Sequence, residues 1–191
     1  YTFMREKMTS LQRLNLKEVE SFAYGEYVIP GGAFKGKTTL IKCVLPDKLD
    51  VIAKQAFGGT SLTGTVLLPE GLRYVSGFNA TKITNVIFPN SLEEIGGGDD
   101  RGYGSNTSGG MLGAFTNCKS LMVELSLPQN LKRIGYGAFS SSSIKGNLVL
   151  PHNLELIEQS AFNDCSGLTG SLVIPNNVES IPSRAFYRCG F

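Results

Sequence analysis

The dipeptide Ala-Phe recurs six times along this 191-residue chain, at Ala33-Phe34, Ala56-Phe57, Ala114-Phe115, Ala138-Phe139, Ala161-Phe162 and Ala185-Phe186, mostly at intervals of 23 or 24 residues. Phe78 stands in the same role without its alanine. Prolines keep the same beat at Pro46, Pro69, Pro89, Pro128, Pro151 and Pro175, and in four units the phenylalanine follows eleven residues later. Two units depart from this: Phe78 comes nine residues after Pro69, and Phe115 comes twenty-six after Pro89. A unit of two dozen residues cannot bury its own apolar face, so the units must stack into coils whose equivalent side chains form ladders.

Four further columns repeat around each proline. Leu49, Leu72, Leu92, Leu131, Leu154 and Val178 lie three residues after it, and Ile52, Val75, Ile95, Ile134, Ile157 and Ile181 lie three further on. Leu45, Leu68, Phe88, Leu127, Leu150 and Ile174 immediately precede it, with Cys43, Val66, Val86, Leu125, Leu148 and Leu172 two residues earlier. The last two columns alternate with period two, which predicts a short strand with one face turned inward. Proline cannot donate to a ladder, so it closes that strand where the chain turns. No long segment shows helical periodicity. The expectation is a β-rich solenoid with a parallel sheet of short strands, turn and 3₁₀ return segments and few helices.

Composition removes several classes of function. The 18 basic and 16 acidic residues leave a formal charge of +2, without the massed basic face that nucleic acid requires. No run approaches the ~18 apolar residues of a membrane span. His152 is the only histidine, and it fills a polar slot after proline that other units give to Asp47, Glu70, Asn90, Gln129 and Asn176. Ser140–Ser143 lacks the Gly-x-Ser-x-Gly setting of a nucleophile. The pair Glu93-Glu94 reads as surface charge. The chain is therefore expected to be no enzyme, with no catalytic, cofactor-binding or metal-binding residues. Asn79-Ala80-Thr81 and Asn106-Thr107-Ser108 match the glycosylation pattern, a frequent false positive.

The unit Leu168-Thr169-Gly170-Ser171-Leu172-Val173-Ile174-Pro175, continued by Val178, Ile181, Ala185-Phe186 and Cys189, resembles the BspA-type leucine-rich repeat. The likeness covers roughly residues 30–191, and Met8–Leu16 resembles the opening turn of such arrays. The resemblance implies a right-handed leucine-rich repeat solenoid in a secreted or cell-surface protein, of the kind found in Bacteroides-like anaerobes, treponemes and some protozoan parasites. It also implies binding rather than catalysis, with adhesion to host matrix proteins or other microbial cells as the family theme. The expected organisation is one domain: an N-terminal opening turn over 1–29, then repeats over 30–191 with a loop inserted at 96–112. The chain is expected to be monomeric, with a protein ligand. The alternatives are a passive spacer array and a glycan-binding surface component.

Three features remain as candidate sites or near-sites. Val44, Leu67, Ile87, Ser126, Val149 and Val173 lie two residues before each proline and point outward by alternation, yet five of the six are aliphatic. Strand propensity explains such a row, and so does an exposed partner-binding stripe. Polar neighbours Lys42, Thr65, Asn85, Glu124, Asn147 and Ser171 would make its rim. The glycine-rich insertion at 96–112 carries Arg101 and Tyr103, residue types enriched in binding surfaces, and reads either as a contact loop or as a bland excursion. Cys118, Cys165 and Cys189 each lie three residues after the phenylalanine and read as small buried hydrophobes. A disulfide between Cys165 and Cys189 is the alternative, and parallel neighbours rarely have the side-chain directions for it.

Overall fold

Each phenylalanine of the repeat lies flat against the next. In the computed structural model, which describes residues 10–19, 21–22, 25–96 and 112–191, the rings of Phe34, Phe57, Phe78, Phe115, Phe139, Phe162 and Phe186 form one column. Successive centroids are 5.2 to 5.8 Å apart and the planes lie within 14° of parallel. The backbone holds the same pitch. The N–H of Phe34 donates to Ala56 O at 2.7 Å, that of Phe115 to Ala138 O at 2.7 Å, and that of Phe139 to Ala161 O at 2.8 Å. Alanine precedes the ring because nothing larger fits between coils. At Phe78 even a methyl is excluded: a Cβ on Gly77 would come within 2.5 Å of Ile52 Cγ2.

Two residues after each of the seven rings, and two before five of them, the backbone enters the left-handed region. Glycine takes some of these places, such as Gly36 and Gly59, but Gln55, Ala80, Asn117, Ser141, Ser160, Asp164, Arg184 and Arg188 hold φ between 54° and 60°. The purpose is visible in the hydrogen bonds. Positive φ turns each N–H along the stack, so that Ala80 N donates to Thr116 O at 2.7 Å, Asn117 N to Ser140 O at 2.9 Å and Ser141 N to Asn163 O at 2.7 Å. The local strain of a non-glycine residue there is offset by an inter-coil bond that would otherwise be lost.

Fourteen short strands occur among the described residues: β1 Arg13–Asn15, β2 Ser21–Phe22, β3 Gly25–Glu26, β4 Val28–Ile29, β5 Lys42–Val44, β6 Val51–Ile52, β7 Thr63–Leu67, β8 Tyr74–Val75, β9 Lys82–Ile87, β10 Glu94–Ile95, β11 Arg133–Ile134, β12 Lys145–Asn147, β13 Leu156–Ile157 and β14 Gly167–Thr169. The return segments are turns, and no α- or 3₁₀-helix occurs among the described residues. The chain is a parallel β-solenoid of about six turns.

The continuous sheet is not the one the proline-flanking alternation suggests. Six parallel strands run in the order β4-β6-β8-β10-β11-β13, through the column Ile29, Ile52, Val75, Ile95, Ile134 and Ile157. On the proline-flanking face, strands pair only in twos, as β1–β5, β7–β9 and β12–β14. Chain length explains the difference. From proline to the second core column the spacing is six residues in every unit, whereas from phenylalanine to the next proline it is eleven to thirteen. A constant spacing keeps strands in register, and a variable one forces slips.

The main core is a continuous cluster running from Leu14 to Ala185, beside a smaller one of Val28, Val51, Ala53 and Tyr74. The ladder weakens at its last rung, where Ile181, expected inside, is 47% exposed because no coil of the described chain lies over it. Removing a central rung by Phe139→Ala should cost about 3–5 kcal/mol, measured as a fall in denaturant midpoint at constant m-value. Ala80→Gly should instead stabilise by up to about 1 kcal/mol, since Ala80 is exposed and its φ is +54°. An unchanged or lower midpoint for Ala80→Gly would remove the strain argument.

Candidate functional site

The outward row is where the alternation places it. Val44 is 40% exposed, Leu67 66%, Ile87 48%, Val149 60% and Val173 75%. Ser126, also exposed, divides the row into an upper patch of Val44, Leu67 and Ile87 and a lower patch of Val149 and Val173. Exposed Met122 and Ile41 add to the same face of the repeat. Sequence reasoning missed both, because each sits just after a core leucine rather than in the alternating column. Arg101 and Tyr103 lie outside the described residues, as do residues 97–111 as a whole and Met8–Thr9 of the opening segment.

The two patches differ in their backbone. In the upper one, β7 and β9 pair over five rungs and absorb one irregularity at Gly64/Thr65. In the lower one, β12 pairs with β14 from Lys145↔Gly167 to Asn147↔Thr169, a spacing of 22 residues, whereas Pro151 and Pro175 stand 24 apart. The two surplus residues are taken up at Gly170, with φ +89°, and Ser171. The coils part beyond that point. An open groove of about 540 Å³ lies between them, lined chiefly by Leu148, Val149, Leu150, Val173, Ile174 and Asn177.

The outer face of the six-stranded sheet is of the opposite character. Asp50 receives Arg73 through two bonds of 2.6 and 2.7 Å, and Glu93 meets Lys132 at 3.4 Å. Glu94, expected on the surface, is buried and paired with Arg133 at 3.1 Å. Burial opposes the Arg133 charge, yet its hydrogen bond to Glu158 at 2.5 Å and the nearby Glu94 hold its pKa above the ordinary arginine value. These residues pair with one another across coils, which is a structural use of charge. His152 is exposed, with Nδ1 3.0 Å from Gln129 Oε1 in its own column. Asn79 and Thr81 are buried, so that glycosylation match is closed to modification; Asn106 lies outside the described residues.

A sequence model of the BspA type leucine-rich repeat region matches residues 27–98 and 112–191 in six copies. The chain belongs to the BspA-type leucine-rich repeat family. No curated protein matches it by sequence. Among solved structures, a crystal structure of a leucine-rich repeat protein from Bacteroides ovatus is similar, with 19% identity and a TM-score of 0.55. That likeness covers 90% of this chain and 36% of the other, and it concerns the fold.

Three of the four cysteines of this BspA-type array belong to a polar column inside it, and Cys43 lies in β5 instead. Three residues after each ring stand Lys37, Thr60, Thr81, Cys118, Ser142, Cys165 and Cys189. The hydroxyls bond within their own coil: Thr60, Thr81 and Ser142 donate to Phe57 O, Phe78 O and Phe139 O at 2.8, 2.8 and 2.6 Å. The thiols reach back one coil: Cys118, Cys165 and Cys189 donate to Phe78 O, Phe139 O and Phe162 O at 3.1, 3.1 and 3.2 Å. All four cysteines are free thiols, Cys165 and Cys189 included. Burial pushes Cys43 and Cys165 up to about 12 and Cys189 up to about 11, and raises Cys118 as well.

At a given pH, Cys165 then carries roughly a thousandfold less thiolate than an ordinary thiol, from the two pKa values. Native protein at pH 8 should therefore leave Cys118 and Cys165 unmodified by a thiol-specific disulfide reagent, with all four cysteines reacting once guanidinium unfolds the chain. Rapid native modification of Cys165, located by mass spectrometry, would contradict the buried column.

Proposed function

We propose that this chain is a non-enzymatic binding module of a secreted or cell-surface protein, and that the aliphatic row of its proline-flanking face holds a protein partner in adhesion. The observation that carries this reading is the exposure of Val149 and Val173 where strand propensity does not account for them. Both lie outside any strand, so a pleated neighbour does not explain their branched side chains. Exposed aliphatics repeated along a rigid scaffold are what a partner site requires.

The family supports a repeat module of a type that is generally protein-binding. Location at a cell surface and a role in adhesion belong to this proposal. No helix among the described residues is long and apolar enough to cross a membrane. A glycan ligand is less well served, because no phenylalanine, tyrosine or tryptophan lines the lower groove.

The test is saturable binding of the purified chain to immobilised matrix glycoproteins. Val149→Glu combined with Val173→Glu should weaken binding at least tenfold while changing stability by no more than about 0.5 kcal/mol, because both side chains are mostly exposed. Equal binding by the double variant moves the site off this patch. No saturable binding by either protein favours the spacer array.

A further inference from the structure

We propose that the groove between residues 147–150 and 171–177 seats an extended, uncharged peptide segment of the partner, running along the two parted coils and bonding to their main chains. This rests on the protein-binding reading above and specifies the form of the ligand.

The main chain supplies the first argument. Burial alternates residue by residue over 147–150 and again over 171–174, which is the pattern of extended chain. Yet among the described residues, beyond the Asn147–Thr169 rung, neither 149–150 nor 171–174 makes a backbone–backbone hydrogen bond. The corresponding strand β7 of the upper patch is paired along its whole length. Extended backbone with unused N–H and C=O groups is the template for adding another strand, and such groups give affinity without demanding a particular sequence.

The side chains supply the second. Val149 and Val173, 60% and 75% exposed, stand beside the opening. A strand lying there would present every second side chain to them. Asn147, Asn176, Asn177 and Ser171 offer amide and hydroxyl groups to main-chain or neutral polar partners.

Charge supplies the third. Among the groove's lining residues there is no aspartate, glutamate, lysine or arginine. The cleft on the six-stranded sheet is lined instead by Asp50, Arg73, Glu93, Glu94, Lys132 and Arg133 among others. A charged ligand side chain entering the lower groove would lose water and find no carboxylate, lysine or arginine to pair with, a net cost. The one titratable lining residue, His152, is exposed and lies 3.0 Å from Gln129 Oε1. The occupant selected is neutral and alternately aliphatic.

The test uses the full 191-residue chain and a dye-labelled, acetylated and amidated hexapeptide of alternating threonine and valine, followed by fluorescence anisotropy. Saturable binding is expected. It should weaken at least tenfold when alternate peptide amides are N-methylated, which removes donors without altering side chains, and again when the peptide valines are replaced by glutamate. Val149→Glu/Val173→Glu should lose the peptide, and Val44→Glu/Leu67→Glu, on the paired half of the face, should keep it. Thermal melts establish that both variants fold, and the N-methylated peptide tests the same point without any variant. The inference is overturned by absence of saturable binding up to about 1 mM, by equal binding of the N-methylated peptide, or by loss of binding only in Val44→Glu/Leu67→Glu. Glycoprotein binding through Val149 and Val173 without peptide binding would overturn this inference alone and leave the binding module standing.

Discussion

Phe78 lies between the rings of Phe57 and Phe115, at 5.2 and 5.8 Å, while its N–H is bonded to Ala114 O at 2.9 Å. That pair of contacts, repeated from coil to coil, sets the pitch of the whole solenoid. The ring separations lie within the ~4.5–7 Å range of offset stacks, and the inter-coil N–H···O bonds beside the rings keep ordinary lengths of 2.7–2.9 Å. Everything else adjusts to that spacing. The alanines are small because the backbone of the next coil is close, and the positive-φ residues exist because two more N–H groups per coil must point the same way. The polar column of Thr60, Thr81, Cys118, Ser142, Cys165 and Cys189 keeps phenylalanine carbonyls bonded in the interior.

Much of this was legible in one sequence because a repeat supplies its own comparison. The phenylalanine, leucine and isoleucine columns read as core and are core except at Ile181 of the last rung, and the five aliphatics before the prolines read as outward and are exposed. The location of the continuous sheet was also recoverable, from the constant six-residue spacing after each proline, but alternation is a louder signal than constancy and pointed to the other face. Glu94 was misread because a buried carboxylate is recognised by its partner, and Arg133 is 39 residues away in sequence. The groove follows from the two surplus residues at Gly170-Ser171, which a count from phenylalanine to proline shows only once the pairing of β12 with β14 is known. Arg101 and Tyr103 stand on a loop that breaks the period, where a repeat offers no copies to compare.

The two faces of the array do different work. The face built on invariant spacing is paired and charged, with Asp50 bonded to Arg73 and Arg133 paired with both Glu94 and Glu158. The face built on variable spacing is where the register slips, where backbone is left unpaired and where aliphatic side chains reach solvent. Irregular length in a repeat is thus the means by which a uniform scaffold acquires a distinct place for a partner. The one-residue slip at Gly64/Thr65 and the two-residue slip at Gly170-Ser171 leave the aromatic column undisturbed.

The charged column also restricts how such a chain can grow or shrink. Along the coils, Asp50, Arg73, Glu93, Lys132 and Glu155 alternate in sign, with Asp50–Arg73 and Glu93–Lys132 in contact. Excision of the single coil bearing Glu93 would bring Arg73 against Lys132, two cations at the distance now occupied by an ion pair. Excision of the two coils bearing Arg73 and Glu93 together would set Asp50 against Lys132 and restore the match. Over this stretch the charge pattern matches again only with every second coil, although the hydrophobic pattern repeats with every one.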